Sequence, residues 1–352
     1  MGNLQAIDSK FVSRVIVNEE LPVDQRGQVL AAAVLSPAPR EGSARLLNLA
    51  VVSARLIQVF CLVTGAKRDE QYVPPSGVYL VKAVHSEDGL LGNIFIVVDS
   101  TDTIHFIDAY ALSSLGQVSA DSSTTSLLLA MPDLFYSGHA DGTIKVWHVS
   151  CDTLQHSWHF DGLVVKAMAY SHTNKRLVVV FEQANEPRVL LTSSLEQGQE
   201  PPSLKTAESP CVDVAVADRK NLVIGLSAQA NKIYVWDLLT CEALLQFELP
   251  QLRASVEIGT KLGIVQLVGN ADVLLIGMTS GATIVSKIVV ETEAVEWIPL
   301  KAINLVEETE SAVISTCIQY AHKLDALLLG FSDSAVTIVT EFIAKGLVLD
   351  QN

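Results

Sequence analysis

Leu134-Phe135-Tyr136-Ser137-Gly138-His139-Ala140-Asp141-Gly142-Thr143-Ile144-Lys145-Val146-Trp147 consists of two alternating apolar runs joined by a short turn of Gly, Asp and Gly. Alternation with period two puts one set of side chains on each face of a strand, and the turn residues between the runs predict a β-hairpin. The second run ends in tryptophan. A similar pattern returns in Leu222-Val223-Ile224-Gly225-Leu226-Ser227 followed by Lys232-Ile233-Tyr234-Val235-Trp236-Asp237. Trp147 and Trp236 stand 89 positions apart, two periods of about 44. The runs Val164 to Tyr170, Arg176 to Phe181 and Arg188 to Thr192 supply the unit between them. The repeating unit is therefore about four strands long.

These segments resemble the WD-repeat (WD40) family, in which a small-residue strand, an Asp-containing turn and a strand ending in Trp-Asp follow one another. Trp236-Asp237 keeps the pair, whereas His148 follows Trp147. The resemblance implies an all-β fold, a seven-bladed β-propeller of four-stranded antiparallel blades. It assigns blades to about 28–73, 77–119, 122–161, 163–210, 211–251, 261–303 and 311–346. Phe11 to Val17 has no adjacent hairpin partner, and the resemblance implies that residues 11–17 close the last blade from the N-terminal side. Closure matters because an open ring leaves a sheet edge and an apolar face exposed.

Several motifs depart from the family. The Gly-His dipeptide usual between blades is missing; Gly138-His139 falls inside a strand-to-turn segment instead. A full His–Ser–Asp–Trp hydrogen-bond network is expected in no blade, with Ser137, Asp141 and Trp147 forming most of one. Apolar packing by Val, Leu and Ile must then hold the blades together.

Composition narrows the function classes. The chain has 352 residues, 49% hydrophobic and 18% charged, which suits a large core and argues against global disorder. A net charge of −15 disfavours a general nucleic-acid surface, which needs cations to displace counterions. That acidity suits either a basic protein partner or simple solubility. No run of eighteen apolar residues and no leader-like start occur, so neither a membrane span nor a secretory signal is expected. The five cysteines are scattered, without a Cys-x-x-Cys pair, and read as reduced residues of an intracellular, cytoplasmic or nuclear, protein. Phosphoinositide-binding propellers carry an Arg-Arg pair, which this chain lacks.

No phosphate loop, Gly-x-Ser-x-Gly elbow or paired-carboxylate constellation is present. The histidines at 139, 148, 156, 159 and 172 lack metal-ligand spacing. No catalytic residue, cofactor or metal is assigned. The innermost strands read as Val, Ala, Leu and small polar residues, apart from Lys166 and Asp213, which are expected at the channel mouth. Those two and Ala140, at the entry to the Asp141 turn, are the candidate partner-binding residues; Ser137, Asp141, Trp147, Trp236 and Asp237 are structural. The resemblance implies a non-catalytic scaffold or adaptor subunit that binds other proteins in a larger assembly. The alternatives are a propeller enzyme with a channel-mouth active site, or a subunit of a ribonucleoprotein or nucleic-acid-processing complex.

Overall fold

A computed structural model describes residues 12–16, 28–35, 48–53, 56–61, 67–72, 78–85, 93–108, 111–131, 134–148, 153–184, 187–191, 202–204, 209–227, 231–250, 258–266, 271–291, 294–303, 314–321, 325–333 and 335–340. These residues form small antiparallel sheets, with one short 3-10 turn at Asp218–Lys220. In chain order the strands are β1 (Val12–Ile16), β2 (Val29–Leu35), β3 (Asn48–Ser53), β4 (Ile57–Cys61), β5 (Lys67–Tyr72), β6 (Val78–His85), β7 (Asn93–Asp99), β8 (Thr103–Asp108) and β9 (Ser114–Ser119). There follow β10 (Thr124–Met131), β11 (Leu134–His139), β12 (Thr143–His148), β13 (Thr153–His159), β14 (Val165–Ser171), β15 (Arg176–Phe181), β16 (Arg188–Leu191), β17 (Asp213–Ala217), β18 (Leu222–Ser227), β19 (Lys232–Asp237) and β20 (Ala243–Glu248). The last are β21 (Gly259–Gln266), β22 (Ala271–Met278), β23 (Thr283–Val290), β24 (Val295–Ile303), β25 (Ser315–Ala321), β26 (Ala326–Phe331) and β27 (Ala335–Val339).

Sheets one to seven are, in order, β2–β5, β6–β9, β10–β13, β14–β16, β17–β20, β21–β24 and β25–β27, the last extended by β1. Strand β1 pairs antiparallel with β27, from Val12 against Val339 to Ile16 against Ala335. Among the described residues sheet four has three strands, and beyond β16 a bridge joins Arg188 to Ser203. The sequence reading places an enlarged loop and a weak outer strand at 197–210, most of which lies outside the described residues.

The central strands are apolar on both faces because both faces are buried. In β15, Leu177, Val179 and Phe181 pack toward sheet three, with Tyr136, Ile144 and Val146, while Val178 and Val180 pack toward sheet five, with Cys211, Val223 and Trp236. Alternate side chains of one strand serve opposite neighbours. Outer strands have one face toward solvent, so β20, Ala-Leu-Leu-Gln-Phe-Glu, alternates between exposed and half-buried positions. Apolar clusters join sheets one and two, two and three, three and four, four and five, five and six, and six and seven. A further cluster joins Ala326, Leu328, Val336 and Ile338 of sheet seven to Val29, Leu49, Val51 and Phe60 of sheet one. At the interface of sheets five and six, Lys220 forms a buried ion pair with Asp272. This arrangement is compatible with a β-propeller.

The first strands share a device. In six of them the register shifts after the first paired residue, with Leu30, Tyr79, Thr125, Lys166, Thr260 and Thr316 as the extra residue. A bulge leaves its extra residue out of the ladder and re-aims the side chain. The residue before the bulge packs tightly: a Cβ on Gly138 would overlap Val165, and one on Gly330 would lie 2.7 Å from Val29 Cγ1. Sheet seven thus receives sheet one as sheet three receives sheet four.

Candidate interaction site

The starts of the first strands gather around a cavity of about 720 Å³. Five bulge residues whose side chains are described, Leu30, Thr125, Lys166, Thr260 and Thr316, line it. Lys166 and Asp213 both lie in its wall, as does Lys261, one residue beyond the bulge of β21. Ala140 does not line it, but stands exposed at the β11–β12 turn, its N–H donating to Ser123 O at 2.8 Å. The end of β11 pairs with the start of β10, so Ala140 lies on the side where the first strands begin.

Asp213 is well held. Its Oδ1 accepts from the Val214 N–H at 3.1 Å and its Oδ2 from the Leu262 N–H of sheet six at 3.0 Å. The Lys261 ammonium is 3.9 Å from Oδ2, and Lys166 Nζ is 4.0 Å from Glu182 Oε1. Both lysine side chains are about half exposed. Cys317 also reaches the cavity, but desolvation pushes its thiol up to about 11, so it is neutral at physiological pH.

Lys261 carries no signal in the apolar pattern, which starts the first strand of the sixth unit at Ile264, whereas β21 begins at Gly259. The signal lay in Gly259: a side chain there would press on Leu226 and Leu249 of sheet five, so a glycine ahead of the apolar run marks the close approach that opens the strand.

The structural residues need one correction. His139 lies within β11 and joins Ser137 and Trp147 in a buried relay, in the place expected for Asp141, so the four-residue His–Ser–Asp–Trp network stays incomplete. Trp147 Nε1–H donates to Ser137 Oγ at 2.7 Å, and Ser137 Oγ lies 2.8 Å from His139 Nε2. His139 Nδ1 is 3.1 Å from the Ser122 carbonyl, which only accepts, so Nδ1 carries the proton and Nε2 accepts from the Ser137 hydroxyl. Burial lowers the His139 pKa, although the hydrogen bond to Ser122 opposes that. Asp141 caps the turn through the Thr143 N–H at 2.9 Å instead of joining the relay directly. Trp236 is fully buried, and Asp237 Oδ1 accepts from the N–H groups of Leu239 and Thr240 at 2.8 and 2.7 Å.

His159 pairs with Asp161 at 2.9 Å, and the His156 ring meets Trp158 edge-on. Among the described residues no group of three His, Cys, Asp or Glu side chains is placed to hold a metal, and no helix is long and apolar enough to cross a membrane. No family model matches the chain, and no curated protein matches it either.

Proposed function

We propose that the sheets are seven blades of one closed ring, a divergent WD-repeat propeller whose last blade is completed by β1. The chain then acts as a non-catalytic scaffold subunit that holds partner proteins against the face where the first strands begin. The ring reading is supported by the apolar cluster between sheets seven and one, which is of the same kind as those between consecutive sheets. The scaffold reading rests on one observation: bulge residues of first strands from separate sheets, Lys166 among them, line one shared cavity. A rigid ring presents such residues at fixed spacing, and a partner's affinity concentrates in a few anchors.

The test is native purification of the tagged chain followed by cross-linking. Partner proteins in fixed stoichiometry, cross-linked near Lys166 and Lys261 and lost in an Ala140→Arg/Lys166→Glu variant that still folds, are the expected result. A partner-free monomer, or partners unaffected by that variant, would remove the scaffold reading.

A further inference from the structure

We infer that the cavity mouth receives an acidic segment of a partner protein, seating its carboxylates on Lys166 and Lys261. This rests on the scaffold reading and specifies its chemistry. The chain as a whole carries −15, yet the described residues of the cavity wall include two lysines against one carboxylate, Asp213. That carboxylate is already engaged by two backbone N–H groups, one of its own strand and one of sheet six. Neither lysine is consumed by its neighbour, because contacts of 3.9 and 4.0 Å are too long for hydrogen bonds. Each ammonium keeps donors for an incoming acceptor.

A second observation points the same way. Thr125 and Thr260, on their bulges, each donate within reach of two carbonyls: Gly138 O and Val165 O for Thr125, Gly277 O and Ser315 O for Thr260. Thr316 holds the equivalent bulge position in sheet seven and lines the same cavity. Its Oγ1 is buried and has no hydrogen-bond partner among the described residues. A buried hydroxyl without a partner is costly, and rotating the Thr316 side chain toward the cavity would let it donate to an incoming carboxylate oxygen, a strong acceptor. Exposed Gln28 and Gln319 add amide donors to the wall. A basic segment would instead meet two like charges here. An acidic one is repelled by most of this acidic surface and drawn to the two lysines, so electrostatics would set its register as well as its affinity.

The experiment uses the full chain and a rhodamine-labelled octapeptide of alternating Glu and Gly, with its Lys-Gly counterpart, followed by fluorescence anisotropy at low ionic strength. The acidic peptide is expected to bind saturably and the basic one not to compete for that site. Lys166→Gln/Lys261→Gln should weaken binding by roughly tenfold or more, while Lys166→Arg/Lys261→Arg retains it. A Lys67→Gln/Lys175→Gln variant carries the same change in net charge at exposed sites away from the cavity and should bind like the parent. Equal weakening in both glutamine variants, preference for the basic peptide, or absence of saturable binding would overturn the assignment. If peptide binding fails while stoichiometric partners still cross-link at this face, only the acidic chemistry falls; if the peptide binds but no partner is found, the scaffold reading falls instead.

Discussion

Sheets three and five each bury a tryptophan at the same point of the third strand, yet they support it by opposite means. Trp147 pairs in register with Phe135, and Trp236 with Val223. Two residues further along the second strand stands Ser137 in one sheet and Gly225 in the other. The serine makes a polar relay from indole to imidazole to backbone carbonyl. The glycine makes room: a Cβ there would lie 2.8 Å from Trp236 Cζ3 and 2.9 Å from Cys211 Sγ, so the indole packs directly on the backbone. Sheet five places a charged anchor at its boundary with sheet six, in Lys220 and Asp272. One fold position thus tolerates either hydrogen bonding or close packing, provided the indole is covered. Motif residues are a poor guide to sheets in such a chain.

This contrast can be broken or sharpened experimentally. Lys220→Ala leaves the Asp272 carboxylate buried without its cation and should lower stability by about 3–5 kcal/mol in urea unfolding, the largest effect expected. A loss below about 1 kcal/mol would show that the pair behaves as a surface contact. Ser137→Ala orphans the Trp147 N–H and the His139 acceptor together, an expected cost of about 1–3 kcal/mol. Gly225→Ala, which harms packing rather than polarity, is expected to cost about 1–3 kcal/mol through overpacking against Trp236. If it is neutral, the close approach has slack and the distinction between the sheets weakens.

The relay also gives sheet three a titrating histidine, whereas sheet five contains none between Asp213 and Glu248. The folded pKa of His139 lies below its ordinary value of 6.5, chiefly through burial. Its contribution is therefore present above pH 6.5 and is lost as pH falls through the folded pKa, because the unfolded chain takes up the proton first. Thermal melting from pH 7.5 down to pH 5 should show a decline that His139→Gln reduces and Gly225→Ala does not. The smallest effect is expected from Asp237→Ala, which removes the acceptor for two exposed turn N–H groups and should cost about 0.5–1.5 kcal/mol.

Strand runs were legible where burial on both faces left unbroken apolar stretches, as in Arg176 to Phe181 and Leu222 to Ser227. The strand at Val12–Ile16 was legible as a run with no local hairpin partner, since its register with β27 is set far along the chain. The bulges were not legible, because they depend on how neighbouring sheets meet and leave no period in the sequence. For that reason Lys166 and Asp213, flanked by apolar residues, stood out, whereas Lys261, between Thr260 and Leu262 ahead of the apolar run, did not. Thr316 offered no sequence signal; its unpartnered hydroxyl emerges only beside its counterparts Thr125 and Thr260. The Gly138-His139 dipeptide lies in the wrong segment for the WD-repeat motif, so the sequence carries no sign of the relay. The imidazole nevertheless reaches the serine from within β11.

The pairing of β1 with β27 has a consequence for biosynthesis. Val12 leaves the ribosome long before Val339 exists, so the early strand waits with its backbone groups unmatched while the intervening sheets form. The last sheet is therefore completed only once β27 has been made, and chains halted before it would carry an open edge prone to misassociation.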